Sequence, residues 1–391
     1  MLNSRRKRTR NNLKVNQVIA GMNVLVTGGA GFIGSHIVDK LVDDGHFVRI
    51  FDNLEPQVHK GIPSYLNKNS EFVKGDVRDI NQLGSAIKDI DVIFHEAAMV
   101  GVGQSMYQIE KYVDVNTYGT AKLLELLVNK EHDVKKLIVA SSMSIYGEGA
   151  HLCDDCGIVY PLLRSEKQLK RRDWVAKCPN CGKDVRMAPT KETKPLQPTS
   201  IYAISKKDQE EMSLAIGRSY GIPTVALRYF NAFGPRQALS NPYTGVCAIF
   251  SARIKNNNPP MIFEDGLQSR DFVSVHDIAD ANVLAMNSSN ANYEVFNVGT
   301  GRATSILDIA LTLSKLYNKD ISPQIAGKYR AGDIRHCFAD ISKIKDKLGF
   351  QPKVSFEEGM KELVAWGAKE EASDGFEDAY GELLKRGLVE K

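Results

Sequence analysis

Past residue 21 the chain alternates short apolar runs with longer stretches in which apolar residues recur every three or four positions. Asn23-Val24-Leu25-Val26-Thr27, Phe47-Val48-Arg49-Ile50-Phe51, Glu71-Phe72-Val73, Val92-Ile93-Phe94 and Lys136-Leu137-Ile138-Val139-Ala140 have the length and β-branched content of buried strands. The stretches between them, such as Ser35 to Asp44, carry helical spacing. Strands and helices alternating in this way predict an α/β fold, a doubly wound parallel sheet of Rossmann type with its ligand crevice at the carboxyl ends of the strands. Between Gly147 and Pro198 the alternation stops, which predicts an insertion over about 150–190. It resumes with a helix from about Ser200 to Tyr220 and a strand at Thr224-Val225-Ala226-Leu227-Arg228. Beyond Asn231 the elements shorten and loops such as 235–244 lengthen. The expected organisation is a tail over 1–21, a sheet domain over 22–231, and a smaller substrate lobe over 232–391, with parts near 262–300 returning to the sheet.

Hydrophobic residues make up 43% of the 391 and charged residues 25%, which excludes a disordered or fibrous protein. No run approaches the roughly 18 apolar residues a membrane helix needs. The formal charge of +4 is concentrated in Arg5, Arg6, Lys7, Arg8, Arg10 and Lys14, so the remainder carries about −2. Such a body offers no general electrostatic case for nucleic acid, and a solvated, disordered extension is the expected state of the tail. Asn11 to Ala20 lacks the apolar core of an export signal, so a cytoplasmic location is expected. Four of the six cysteines form two Cys-x-x-Cys pairs, a pattern for metal and not for a secreted disulfide framework.

The first strand ends in Gly28-Gly29-Ala30-Gly31-Phe32-Ile33-Gly34 and a helix follows, the setting in which a glycine turn cradles a pyrophosphate. Gly28, Gly31 and Gly34 allow the close approach, and the amides of the helix start, around Phe32 and Ile33, face the anion. Asp52, beside Asn53 at the end of the second strand, lies 18 residues past Gly34. A carboxylate there accepts from both ribose hydroxyls and repels a 2′-phosphate, and no arginine immediately follows it. NAD is therefore expected over NADP.

Tyr202 and Lys206 are four residues apart, hence on one face of a helix. A free phenol, with a pKa of about 10, is a poor base at neutral pH; a nearby ammonium and a nicotinamide cation both favour the phenolate. Ser142, in the hydroxyl-rich run Ser141-Ser142-Met143-Ser144, supplies a group to hold a substrate hydroxyl.

With these motifs the chain resembles the extended short-chain dehydrogenase/reductase family of nucleotide-sugar epimerases and dehydratases, from Met22 to about Trp366 except in the cysteine-bearing insertion. Further matches are His95-Glu96-Ala97-Ala98, Leu227-Arg228-Tyr229-Phe230-Asn231, Gly234-Pro235-Arg236, Gln268-Ser269-Arg270-Asp271 and Arg330-x-Gly332-Asp333. The resemblance implies Ser142, Tyr202 and Lys206 as catalytic residues. It implies Asp76 and Val77 near the adenine, Ala97 and Ala98 beside the cofactor, and Asn116 on the next helix. Asn231, Arg270 and Arg330 would bind the substrate diphosphate, with Ser144, Asp333 and Cys337 also in the sugar pocket. A homodimer is likewise implied.

The family's 4,6-dehydratases carry an Asp-Glu pair directly after the residue equivalent to Ser142, and this chain has Met143-Ser144, so 4-epimerisation is the expected reaction. Its pattern is most similar to the group acting on dTDP-L-rhamnose. UDP-glucose/UDP-galactose-type epimerases, or those for N-acetylhexosamines and uronates, are the alternative. A different class, a non-catalytic NAD-binding module that holds nucleic acid or a partner through its tail and insertion, has no use for a base or for diphosphate arginines.

Cys153-x-x-Cys156 and Cys178-x-x-Cys181, separated by 21 residues, approach a zinc-ribbon spacing. Four thiolates suit a closed, structural Zn site with no place for a reactive water. The insertion should sit near the crevice mouth. The basic run Lys167, Lys170, Arg171 and Arg172 within it reads as a solvated face.

Overall fold

The computed structural model describes residues 21–390; all of the expected basic tail except Gly21 lies outside the described residues. Seven parallel strands form the central sheet: β1 (Asn23–Thr27), β2 (Phe47–Asp52), β3 (Glu71–Lys74), β4 (Val92–His95), β5 (Lys136–Ser142), β6 (Thr224–Tyr229) and β7 (Val295–Val298). Their order is β7-β6-β5-β4-β1-β2-β3, so the winding reverses between β1 and β4 and opens a crevice there. The register sets Thr27 beside His95 and Ser142 beside Tyr229.

Helices cover both faces, which is why the central strands are apolar without interruption. On one face α1 (Phe32–Asp43) packs with the helix Val275–Asn287, joining Ile37, Val38 and Leu41 to Ile278, Ala281 and Ala285. On the other lie α2 (Ile80–Ile87) and α3 (Gly119–Asn129), with Leu83, Leu123 and Leu127 buried. Val24 and Val26 face the first core and Leu25 the second, as the period of a strand requires. Helix α4 (Ile201–Tyr220) begins where the Ser200 hydroxyl accepts from the Ala203 amide and ends at Gly221, whose φ of 70° suits glycine.

Because β7 and the helix Val275–Asn287 lie beyond Asn231, the sheet domain takes chain back from the lobe. The lobe's own core gathers Phe233, Phe250, Leu313, Met360 and Leu363 from the helices Val246–Lys255, Ile306–Leu316 and Phe356–Lys369 and the strand Asn231–Phe233. After the helix Phe376–Lys385 the chain pairs with the segment 329–331: the Ala331 amide donates to the Leu388 carbonyl at 2.9 Å and the Glu390 amide to the Tyr329 carbonyl at 3.0 Å.

The insertion leaves just after β5 and forms a small antiparallel sheet from His151–Cys153, Gly157–Val159 and Arg186–Met187. Its short helix Glu166–Lys170, capped by Ser165, carries part of the basic run. Its own apolar cluster is small, made of Cys153, Val159, Ala176, Cys178 and Val185. Among the described residues no helix is long and apolar enough to cross a membrane.

Candidate active site

A cavity of about 610 Å³ runs along the carboxyl ends of the strands and under the lobe, within the size range of small-molecule sites. Gly28, Gly31, Phe32, Ile33, Gly34, Asp52, Asn53, Val77, Ala97 and Ala98 line its sheet end. The glycine turn tolerates no side chain: a Cβ on Gly34 would lie 2.3 Å from the Gly28 carbonyl oxygen, and Gly28 has a φ of 70°. Helix α1 starts with no side-chain cap, so its first amides are left for a ligand. Asp52 accepts from the Ala30 amide at 3.1 Å and the Leu54 amide at 2.8 Å, which holds its carboxylate at the tip of β2. An uncapped helix start, a glycine cradle and a fixed carboxylate fit a dinucleotide with free ribose hydroxyls.

Ser142, Tyr202 and Lys206 meet in the middle of the same cavity. The Lys206 ammonium donates to the Ala140 carbonyl and to Gln209 Oε1, both at 2.8 Å. Burial pulls its pKa down to about 8, against the opposing charge of Glu96. Burial raises the Tyr202 phenol, and the Ser142 hydroxyl counters it. Ser142 Oγ accepts from the Ser144 amide at 3.2 Å and the Ser144 hydroxyl at 2.9 Å, so the two serines act as one unit.

Behind Lys206, Gln209 Nε2 donates to Thr120 Oγ1 at 2.8 Å. The Thr120 hydroxyl donates to the Asn116 carbonyl at 2.6 Å, which leaves His95 Nε2 to donate to Thr120 at 2.9 Å and His95 Nδ1 to accept from Thr27 at 2.9 Å. Burial, helped by Lys206, holds His95 neutral, with a pKa of about 3.

From the lobe, Asn231, Arg270, Arg330 and Asp333 line the opposite end of the cavity. The Arg270 guanidinium donates to the carbonyls of Ser269, Arg335 and Ile334 at 2.8, 3.0 and 2.8 Å, which aims it and leaves its other N–H groups free. Arg330 pairs with Asp333 at 2.8 Å and lies over the Phe263 ring. Asn231, Gln237 and Gln268 each present a buried side-chain oxygen with no partner among the described residues, the acceptors a polyhydroxylated ligand would satisfy.

Three expected site residues are not among those lining the cavity. Asn116 lies in a π-helical segment (Val113–Tyr118), where its side chain clamps the Met99 amide and carbonyl at 2.7 and 3.1 Å and donates to Ser205 at 2.9 Å. Asp76 is engaged by Arg78 at 2.7 Å and by Asn53 at 2.9 Å. Cys337 is buried against Thr190, outside the lining, so it does not border the sugar space as expected.

Two contributions went unassigned in the sequence. Glu96 lines the cavity and accepts from the Tyr229 hydroxyl at 2.9 Å, and burial lifts its carboxyl to about 7. Phe376, Ala379, Tyr380 and Leu383 add a wall from the last helix. Their i, i+3, i+4, i+7 spacing was visible, but it reads equally well as a core stripe.

The cysteine pairs converge as well. The Sγ atoms of Cys153, Cys156, Cys178 and Cys181 all lie within 4.8 Å of one another, and Cys153 and Cys181 are 3.5 Å apart. A tetrahedron with Zn–S near 2.3 Å has S···S edges of about 3.8 Å, so the donor set fits.

With that geometry the protein is an NAD-site α/β enzyme of a known kind: the chain belongs to the extended short-chain dehydrogenase/reductase family of nucleotide-sugar epimerases and dehydratases. The NAD dependent epimerase/dehydratase family matches residues 24–162 and the GDP-mannose 4,6 dehydratase family matches residues 182–363. A dTDP-L-rhamnose 4-epimerase of Burkholderia thailandensis is 36% identical over 90% of this chain and 97% of its own. The UDP-glucose 4-epimerase of Thermotoga maritima, solved with UDP-glucose, superposes with a TM-score of 0.73 at 34% identity, covering 89% of this chain and 99% of that one. The UDP-glucose 4-epimerase of Thermus thermophilus, in complex with NAD, gives 0.72 at 30% identity, covering 90% and 100%.

Proposed function

We propose that this NAD-dependent nucleotide-sugar 4-epimerase acts on dTDP-L-rhamnose. The observation that carries the reaction type is the Ser142–Tyr202–Lys206 group with Met143-Ser144 following it. Met143 packs into the core and Ser144 bonds Ser142, so neither of these side chains offers the acid or the base that dehydration at carbon 6 needs at these positions. The sugar is favoured by the 36% identity to the Burkholderia thailandensis enzyme. A UDP-hexose is the second reading, supported by the similarity to the Thermotoga maritima structure.

In this mechanism Ser142 orients the 4-hydroxyl and Tyr202 takes its proton. Lys206, held by Ala140, favours the phenolate that does so. NAD, held by Gly28, Gly31, Phe32, Ile33, Gly34, Asp52, Asn53, Val77, Ala97 and Ala98, supplies the acceptor and donor of a hydride. Arg270, Arg330 and Asn231 hold the diphosphate, while the 4-keto sugar turns between its two faces. Guanidinium forks suit that task because they match phosphate oxygens.

Cys153, Cys156, Cys178 and Cys181 would hold one structural Zn ion. A second copy of the chain would cover the exposed Ile109, Val113, Tyr118 and Ile204, which lie on helical segments flanking the site, and Met106 in the turn before them.

The test is turnover of dTDP-L-rhamnose, and separately of UDP-galactose, in heavy water, followed by proton NMR. The carbon-bound hydrogen at position 4 should return to the same sugar. Solvent deuterium at carbon 3, 5 or 6, or a stable 4-keto product, would overturn epimerisation, and turnover of only one sugar decides the substrate.

A further inference from the structure

The cavity's two arginines are held by one segment, 330–335, and that segment is held from behind by the insertion. We infer that Arg164, in the insertion, is a positioning residue for the diphosphate end of the substrate site. The inference rests on the nucleotide-sugar reading above.

The link is a chain of direct contacts. Arg164 grips Glu264 with two parallel bonds, each 2.8 Å. Glu264 also accepts from Arg335 at 2.9 Å, and Arg335 forks onto Asp265 at 2.7 and 2.8 Å. The carbonyls of Ile334 and Arg335 in turn receive the Arg270 guanidinium. A second branch is shorter: Arg164 donates at 3.3 Å to the carbonyl of Asp333, whose carboxylate pairs with Arg330. Both diphosphate arginines thus sit one residue away from groups that Arg164 fastens.

Burial makes the link stiff. The side chains of Arg164, Glu264 and Arg335 are 2%, 3% and 5% exposed. Removing one member of such a set strands the others in a low dielectric, so the arrangement has little freedom to relax in place. Removing Arg164 leaves Glu264 with Arg335 alone, and it drops the bond to Asp333. The expected consequence is a displaced 330–335 segment and mis-aimed arginines. Neither the glycine turn nor Tyr202 touches this network, so NAD binding and chemistry should be spared.

The inference is tested by titrating NAD-loaded protein with dTDP and with UDP by calorimetry, and by measuring KM and kcat on whichever sugar turns over. Arg164→Met should weaken nucleoside diphosphate binding and raise KM by about tenfold, the scale of coupling through a packed network. The kcat should stay within about threefold and the NAD content should not change. Arg164→Lys, which keeps the charge and one bond, should recover part of the loss. Should Arg164→Met fail to fold, Glu264→Gln should show the same KM-only effect at smaller size. Unchanged diphosphate binding in a folded variant, or a fall in kcat with KM intact, overturns the role of Arg164. Wild-type protein that binds neither dTDP nor UDP overturns the nucleotide-sugar reading itself.

Discussion

Lys206 and Ala140 are joined by a 2.8 Å hydrogen bond from ammonium to carbonyl, which ties helix α4 to the strand that ends in Ser142. The base and the hydroxyl that orients its substrate come from segments about sixty residues apart, and this bond sets their spacing.

Tyr202→Phe keeps the ring and its edge-on packing against Tyr112, 6.4 Å between centroids, and removes only the hydroxyl. The kcat should fall by about 10²–10⁴, the usual contribution of a general base, with the thermal transition unchanged. Near-normal turnover in the folded variant rules Tyr202 out as the base.

Glu96 gives the site a pH signature. Burial raises its carboxyl to about 7, opposed by the Tyr229 hydroxyl and Lys206, and burial lowers Lys206 to about 8, opposed by Glu96. Between those values the carboxylate favours the ammonium. Above about 8 Lys206 loses its proton and its support for the phenolate, so kcat should decline on the alkaline side. In Glu96→Gln no negative charge holds the proton on Lys206, and the decline should begin at lower pH. A kcat profile with an unmoved alkaline limb contradicts the coupling.

Asp52 should make the protein prefer NAD. Denatured wild-type protein is expected to release NAD or NADH, and NADP should bind at least about tenfold more weakly, because a 2′-phosphate would face a fixed carboxylate. Asp52→Asn should narrow that gap. Equal affinity of the wild type for both cofactors sinks the assignment.

If the four thiolates hold the proposed one Zn per chain, Cys178→Ser should lose it, and the insertion should open before the sheet does. Its own apolar core is five residues, too small to keep it folded alone. Elemental analysis with hydrogen exchange across residues 150–190 reads both effects. A metal-free wild type with all four thiols quickly titratable would falsify the Zn assignment.

What the sequence disclosed divides along a physical line. The Gly28–Gly34 turn, Asp52 and the Tyr202/Lys206 pair are local patterns, so spacing alone placed them on the right elements. Asn116 and Cys337 illustrate the loss of that guidance. The family resemblance implies that each stands at the site, but the π-helical segment turns Asn116 onto Met99, and Cys337 packs against Thr190. The Glu96–Tyr229 contact spans 133 residues and follows from strand order, which periodicity does not fix. The insertion's cysteines were legible; its grip on Glu264, a hundred residues away, was not.

The pairing of Leu388–Glu390 with Tyr329–Ala331 carries a consequence for synthesis. Every residue assigned to the cofactor precedes residue 207, whereas the wall made by Phe376, Tyr380 and Leu383 emerges from the ribosome long afterwards. A nascent chain can therefore present a dinucleotide cradle before its sugar compartment has a roof.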